Sequence, residues 1–457
     1  MHDRTGEFGR AGSWPVQAGP KGAHGVPEEA VPEADVLRYF RRLRAIETIE
    51  DLPVPEGAES PGAHCGLFEA ALTAPLIRGS RTLLIGPAAC LHHAGSLHQS
   101  GSRGLAAAPS GLLFLCMEPD DAVFGIDSKI VEAVLEADRR FQPDALFLVS
   151  TCVPEMAGTD LDALAAELAP RVRARLLVVR TDGFSARHQQ QGLRRVLASL
   201  VGLMGPVPPE PRSVNVLGLR AEGARHTELV RALEDAGVRV LSTVPAATTV
   251  EALARCPSAA LNVVVEDYAL DLAREMEARF GVPYVEVGFP LAPDRVDEAY
   301  AQLEDALGVA LRPLVAVARE AAGQAMARSR AAAQGRRAAV AAFAGGPLGA
   351  ARFLAELGAE PAVVLASRFS RQDARERVVL LASGHDPLVG RTQGTGQMVP
   401  LLRSLGVDLY AGHGDRYALA RLGIGQVHPD PPRARWGYEA TRWAAEMVGA
   451  AMGGKPR

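Results

Sequence analysis

The sequence predicts an α/β protein built from three doubly wound, Rossmann-like domains with parallel sheets. Three observations carry this. Short apolar runs of strand length alternate with helical stretches along most of the chain. The Pro-rich segment GPVPPEP at 205–211 interrupts that alternation, which then restarts. A long Ala/Arg-rich helical stretch at 315–337 leads into a further restart.

Residues 1–30 are rich in Gly, Pro and charge, lack periodicity and read as a flexible arm. The first α/β domain is expected over 31–205, with strands at 82–85, 112–115, 145–149 and 176–179 separated by helical stretches. The second, 212–330, opens on a strand at 214–218, followed by a helix at 226–236 and a strand at 238–241. The third, 336–457, opens on a strand at 338–343 and closes on a C-terminal helix beginning at Gly437-Tyr438-Glu439. Gly345-Gly346-Pro347 separates strand from helix there, a junction suited to a ligand but lacking a GxGxxG fingerprint.

The 457 residues, 48% hydrophobic, can bury several cores, and a net charge of -4 gives no sign of a nucleic-acid partner. No apolar run reaches the roughly 18 residues of a membrane helix and no signal peptide is evident, so no membrane partner is expected. Five cysteines without paired spacing fit a reducing cytoplasm.

Three of those cysteines sit in separate loop contexts: Cys65 in AHCGLFEA, Cys90 in LLIGPAAC and Cys152 in LFLVSTCVPEMAGTD. Two follow apolar strands, at the carboxyl ends where open α/β sheets place ligands. Thiolates delivered from separate loops suit an iron–sulfur cluster, and the absence of a CxxC pair argues against a zinc ribbon or a thioredoxin-type motif. On spacing alone, ligation and burial as small hydrophobes both remain open. Cys116, inside the apolar run GLLFLCMEP, reads as core, and Cys256 in ALARCPSA as a helix-end or packing residue.

The order Cys65-Gly66-Leu67-Phe68, a strand ending in Gly86-Pro87-Ala88-Ala89-Cys90, Val123-Phe124-Gly125 leading to Lys129, and Ser150-Thr151-Cys152 with Glu155, Gly158 and Asp160 resembles the amino-terminal domain of nitrogenase component 1 subunits, the molybdenum–iron protein family and its nitrogenase-like relatives. The resemblance implies that Cys65, Cys90 and Cys152 hold one half of an interfacial iron–sulfur cluster, P-cluster-like (8Fe-7S) or 4Fe-4S, shared with a partner subunit. It also implies the three-domain fold. Later segments resemble the β-type subunit. Where α-type chains carry a cofactor cysteine, the stretch Leu261 to Tyr268 has Glu266 in its approximate place. The ending, Asp408-Leu409-Tyr410 through Gly412-His413-Gly414 to Gly437-Tyr438-Glu439, resembles β-type and scaffold β-type chains, although Gly425-Gln426-Val427-His428-Pro429 replaces the usual Gly-Phe-Pro segment.

His92, His93 and His98 invite a zinc or non-haem iron reading, but no carboxylate at matching spacing completes a facial triad, and a solvated or partner-facing helix is expected. His385-Asp386 and His413-Asp415 stay ambiguous. Ser185 resembles a serine that adds an oxygen to the cluster in some β-type chains; a helix N-cap from Asp182 or Ser185 is the expected role.

The resemblance therefore implies a β-like subunit of a nitrogenase-like reductase, an α2β2 heterotetramer with an α-like chain. Its interfacial cluster would relay electrons from an ATP-dependent iron-protein reductase to a catalytic metallocluster in the α-like chain. The protochlorophyllide-reductase β-type subunit lacks this cysteine set, which favours the methylthio-alkane reductase branch and reductive carbon–sulfur cleavage. The alternatives are a scaffold subunit for nitrogenase cofactor maturation, a true nitrogenase β subunit, and a small-molecule binding protein of the same fold with incidental cysteines.

Overall fold

The structure is a computed structural model that describes residues 36–53, 65–101, 111–181, 190–341, 343, 345–391, 395–429 and 434–453, with backbone only at 97–101 and 395–397. Three sheets, parallel throughout except for one short edge strand, organise these residues, as the alternation of elements predicts. After a two-residue strand β1 (Arg41–Arg42), the first sheet contains β2 (Ser80–Pro87), β3 (Leu112–Met117), β4 (Ala145–Ser150) and β5 (Arg175–Arg180) in the order β3-β2-β4-β5. The second contains β6 (Glu210–Leu219), β7 (Arg239–Pro245), β8 (Ala259–Val264) and β9 (Tyr284–Glu286) in the order β7-β6-β8-β9. The third contains β10 (Arg337–Ala341), β11 (Glu360–Ala366), β12 (Leu388–Arg391), β13 (Leu409–Gly412) and β14 (Gly425–Val427), in the order β1-β12-β11-β10-β13-β14.

Burial explains why these runs are strands. All six residues of β4, Ala-Leu-Phe-Leu-Val-Ser, are buried, the continuous apolar pattern of a parallel strand covered on both faces. Edge strand β3 instead leaves Phe114 half exposed. In each sheet the order reverses beside its first strand, between β2 and β4, β6 and β8, and β10 and β13, and the crevice at the carboxyl ends there is where doubly wound sheets take ligands.

Two expectations need correction. Residues 36–52, assigned by the sequence to the first domain, join the third. There β1 pairs antiparallel with β12, Arg41 opposite Val389. Leu43, Ile46, Ile49 and Leu52 are buried in one cluster with Leu348, Phe353 and Val389, while Val36 and Phe40 pack with Val363 and Leu365. Their three-residue spacing makes an apolar stripe that must be covered, and nothing local specifies by what. The helix expected to run to Arg337 spans Ala316–Ala333. Gly335, at φ 68°, turns the chain so that Arg337 already belongs to β10.

The C-terminal helix Tyr438–Gly453 packs along Ala316–Ala333, where Ser329 Oγ donates to the Ala445 carbonyl at 2.7 Å. Its first turn is capped from the second domain. The amides of Tyr438 and Glu439 donate to Glu228 Oε1 and Oε2 at 3.1 and 2.9 Å, and the Tyr300 hydroxyl donates to Oε1 at 2.8 Å. Burial nevertheless pushes the Glu228 carboxyl up to about 7, against those hydrogen bonds. Its stabilising contribution is therefore full below about 4.5 and lost as the pH rises through about 7. Thermal melts across that window are expected to fall more steeply for the wild type than for Glu228→Gln; parallel curves would refute the assignment. Among the described residues no helix is long and apolar enough to cross a membrane.

Candidate metal centre

The switch point of the first sheet is built around two of the singled-out cysteines. β2 runs into the helix Ala88–Gly101, which places Cys90 in its first turn, and β4 ends at Ser150, so that Cys152 opens the helix Cys152–Met156. The strand ends are drawn together by the Thr151 amide, which donates to the Ile85 carbonyl at 2.9 Å. Gly86 permits this approach: a Cβ there would lie 2.2 Å from Thr151 Oγ1. That hydroxyl is itself buried with no hydrogen-bond partner in the structure.

Cys65 arrives from another direction, as the residue preceding the helix Gly66–Thr73. That helix docks on Gln190–Ser199 through two glycines in such close contact that a Cβ on Gly192 would stand 1.8 Å from the Gly66 carbonyl oxygen. One turn along, the Phe68 ring meets the edge of His93 at 4.8 Å, joining the Cys65 helix to the Cys90 helix. All three thiols are free; Cys65 is exposed, Cys90 and Cys152 half-buried.

These thiols are close enough to feel one another's charge. Burial pushes the Cys65 thiol up, an amide hydrogen bond from Leu67 opposes it, and Cys152 pushes it up further. Burial also raises Cys90, reinforced first by Cys152 and then by Cys65. Three thiolates at such a crevice repel unless a cation sits among them, and metal coordination is what deprotonates a thiol held above its usual range. Among the described residues no three His, Cys, Asp or Glu side chains converge on a single ion. A lone tetrahedral ion would hold its sulfurs about 3.8 Å apart, as Zn–S bonds of about 2.3 Å require. Thiolates on separate irons of a cluster need not converge so tightly. The soft donor set, the separate loops and the orphaned Thr151 hydroxyl fit a cluster better than a single ion.

The Cys152 turn is braced from below. Ser150 Oγ donates to Glu155, Arg180 Nη1 donates to Glu155 Oε2 at 2.8 Å, and Arg180 Nη2 donates to Asp162 at 2.6 Å. Thr181 Oγ1 donates to the Ser150 carbonyl at 2.6 Å. The short helices after β3 and β4, Pro119–Phe124 and Cys152–Met156, expose Val123, Phe124 and Met156, 75%, 84% and 70% accessible, an apolar display suited to a partner surface.

The remaining candidates scatter. Cys116 lies in β3, half-buried, with its Sγ 3.9 Å from the Met117 carbonyl, and Cys256 is fully buried, its thiol pushed up to about 12 by burial. His92 is exposed and His93 is taken up by Phe68. The side chain of His98, and Ser185 with Asp182, lie outside the described residues. His385 and Asp386 lie on the third domain's opposite end, and His413 meets His428 edge-on at 4.8 Å.

Glu266 stands just past β8, at the switch point of the second sheet, and burial pushes its carboxyl up to about 7 against the pull of Arg368 and Arg220. Sequence reasoning missed what surrounds it. Arg220 pairs with Glu69 at 2.5 Å, Arg194 with Asp267 at 3.3 Å, and Arg368 donates to Asp267 and, at 2.8 Å, to Gln190. Elements of all three sheets thus meet in a junction of carboxylates and guanidiniums. Each is an ordinary surface residue in its own segment, so no local pattern could announce the cluster.

The sequence model of one family, described as nitrogenase component 1 type oxidoreductase, matches residues 65–452. The nitrogenase iron-molybdenum cofactor biosynthesis protein NifE of Nostoc sp. (strain PCC 7120) is 30% identical over 237 residues, 50% of this chain and 49% of that protein. NifE of Methanococcus maripaludis (strain S2) is 25% identical over 272 residues, 55% of this chain and 56% of that one. The nitrogenase molybdenum-iron protein alpha chain of Methanosarcina barkeri is 25% identical over 178 residues, 38% of this chain and 34% of that one. The chain spans about half the length of the NifE relatives it matches. A solved structure, nitrogenase Cp1 at pH 6.5, superposes with a TM-score of 0.76 at 18% identity, covering 90% of this chain and 96% of that one, a likeness of fold.

Proposed function

The chain belongs to the nitrogenase component 1 type oxidoreductases, and from that premise we propose that it is a cluster-holding subunit of a heteromeric scaffold on which a nitrogenase cofactor precursor matures. Cys65, Cys90 and Cys152 hold half of an iron–sulfur cluster at the interface with a related partner chain. What supports this is that three thiols at the starts of three helices lie near enough to one another that two of them are raised in part by charge on the others. The likeness to two proteins named for cofactor biosynthesis supports the scaffold role. When bound, such a cluster supplies one-electron capacity.

This chain's residues position and seal. Gly86 and Gly192 bring the loops together, the Glu155–Arg180 pair fixes the Cys152 turn, and the exposed Val123, Phe124 and Met156 offer apolar surface to the partner chain or an iron-protein reductase. Reduced, unpaired thiols suit a cytoplasmic setting.

A second reading rests on the likeness to a molybdenum-iron protein alpha chain. In it the complex is itself a reductase, and the cluster passes electrons from an ATP-dependent iron protein to a catalytic centre in the partner, with methylthio-alkanes as one substrate class. The test is iron and acid-labile sulfide counted on the anaerobically purified complex, followed by two assays. Activation of cofactor-free nitrogenase supports the scaffold; ATP- and iron-protein-dependent substrate reduction supports the reductase. A complex without iron would overturn both.

In either reading the three-domain junction of this chain holds no sulfur-ligated cluster, because hard carboxylates and guanidiniums are poor partners for irons that favour thiolate. Glu266→Gln is accordingly expected to leave iron per complex unchanged. Selective loss of one cluster, seen by iron count and spectroscopy, would assign this chain a second metal site.

A further inference from the structure

At the end of the third sheet remote from its switch point, the starts of β10, β11 and β12 surround a cavity of about 70 Å³ with Arg42, Arg337, Glu360, His385, Asp386 and Leu405 in its wall. Three of these side chains carry donors without acceptors among the described residues. Arg337 donates Nη1 to the Leu405 carbonyl, but its Nε is buried with no acceptor and meets Glu360 only as an ion pair at 3.4 Å. Arg42 donates Nη1 to the Asp386 carbonyl at 2.8 Å and makes no other side-chain hydrogen bond. The His385 imidazole makes none.

Acceptors are scarce in the same wall. Asp386 spends both carboxylate oxygens on Arg44, accepting from its amide at 2.9 Å and its Nε at 2.5 Å. Glu360, more than half exposed, meets only the Arg337 guanidinium among the described residues. Of these donors Arg337 Nε is the buried one, while Arg42 is exposed and His385 half-buried; a buried unpaired donor is rare in folded proteins and commonly marks a missing water or ion.

Size narrows the occupant. A buried water takes about 10–15 Å³ by this measure, so the cavity has room for about five to seven waters or one small ion, far below the roughly 300 Å³ of a pocket for an organic cofactor. Five heavy atoms make a tetrahedral oxyanion, whose four acceptor oxygens match forked guanidinium donors. We propose that this cavity binds phosphate, free or as the phosphoryl group of a small phosphomonoester, through Arg42, Arg337 and His385. Because Arg42 lies in β1, the bound anion ties residues 36–52 to the third sheet. The proposal does not depend on the cluster.

The experiment uses the full chain in phosphate- and sulfate-free buffer, titrated with inorganic phosphate against sodium chloride at equal ionic strength, and read by thermal midpoint and by phosphorus-31 line broadening. Saturable stabilisation is expected, weakened about tenfold or more in Arg337→Met and His385→Asn and unchanged in Arg274→Met, an exposed arginine of the second domain. Arg337 also braces Leu405, so His385→Asn and Arg42→Gln carry the test if Arg337→Met does not fold. Tighter binding of glycerol 3-phosphate than of phosphate would identify a phosphomonoester, and binding of phosphate alone the free ion. No saturable effect beyond that of chloride, or equal affinity in every variant, would show that the cavity holds only water.

Discussion

Cys65→Ala, Cys90→Ala and Cys152→Ala are each expected to strip most of the iron from the complex and to loosen its assembly with the partner chain. Ligation at an interface couples metal binding to association, so losing one thiolate weakens both. The effect should be larger for metal content than for folding of the isolated chain, because Cys65 is exposed and Cys90 and Cys152 half-buried, leaving little cavity when truncated. Cys116→Ala is the internal control, since its thiol lies against the Met117 carbonyl in the edge strand. Iron analysis and sedimentation of the anaerobic complex decide the matter. Full iron in all three variants would remove these residues from the ligand set.

A comparably large loss is expected from Gly192→Ala. Alanine in a helix is ordinarily worth up to about 1 kcal/mol over glycine. Here the added Cβ would stand 1.8 Å from the Gly66 carbonyl oxygen, a backbone atom that cannot swing aside. Separating the two helices costs about 3 kcal/mol or more, the upper range of overpacking, so the clash wins. The same shift moves Cys65 away from Cys90 and Cys152, and iron content falls with stability. Gly323→Ala supplies the contrast: it sits in the helix Ala316–Ala333 with nothing within 4 Å of its Cβ, and should gain about the propensity term. Denaturant midpoints that rise for both substitutions would show that the helices at Gly192 have room to spare.

Much of this architecture is legible in the chain because parallel strands buried on both faces must be apolar throughout. That is why 82–85 and 145–149 stand out and lie within β2 and β4, while 176–179, in the edge strand β5, shows through its apolar composition although its burial alternates. The carboxyl-end placement of Cys90 and Cys152 follows from the same runs. The nearness of Cys65 does not, since it depends on Gly66 meeting Gly192, a contact between helices far apart in sequence. The Glu266 neighbourhood is opaque for a related reason: Arg220, Arg368 and Glu69 come from three separate sheets' surroundings, and each alone looks like a solvated charge. The cover of residues 36–52 is not legible either, because an apolar stripe states that it needs cover without naming it; here that cover is the third sheet, with Arg41 opposite Val389.

The pairing of β1 with β12 also sets a clock on synthesis. At about 5–20 residues per second, the stretch from Val36 to Leu52 leaves the ribosome tens of seconds before its partner strand at Leu388–Arg391 exists. During that interval Leu43, Ile46, Ile49 and Leu52 have no native place to be buried. The first two sheets can form while the nascent stretch waits, and β1 finds its partner only once β12 has emerged. The apolar residues of 36–52 are therefore left needing temporary cover of the kind a chaperone gives.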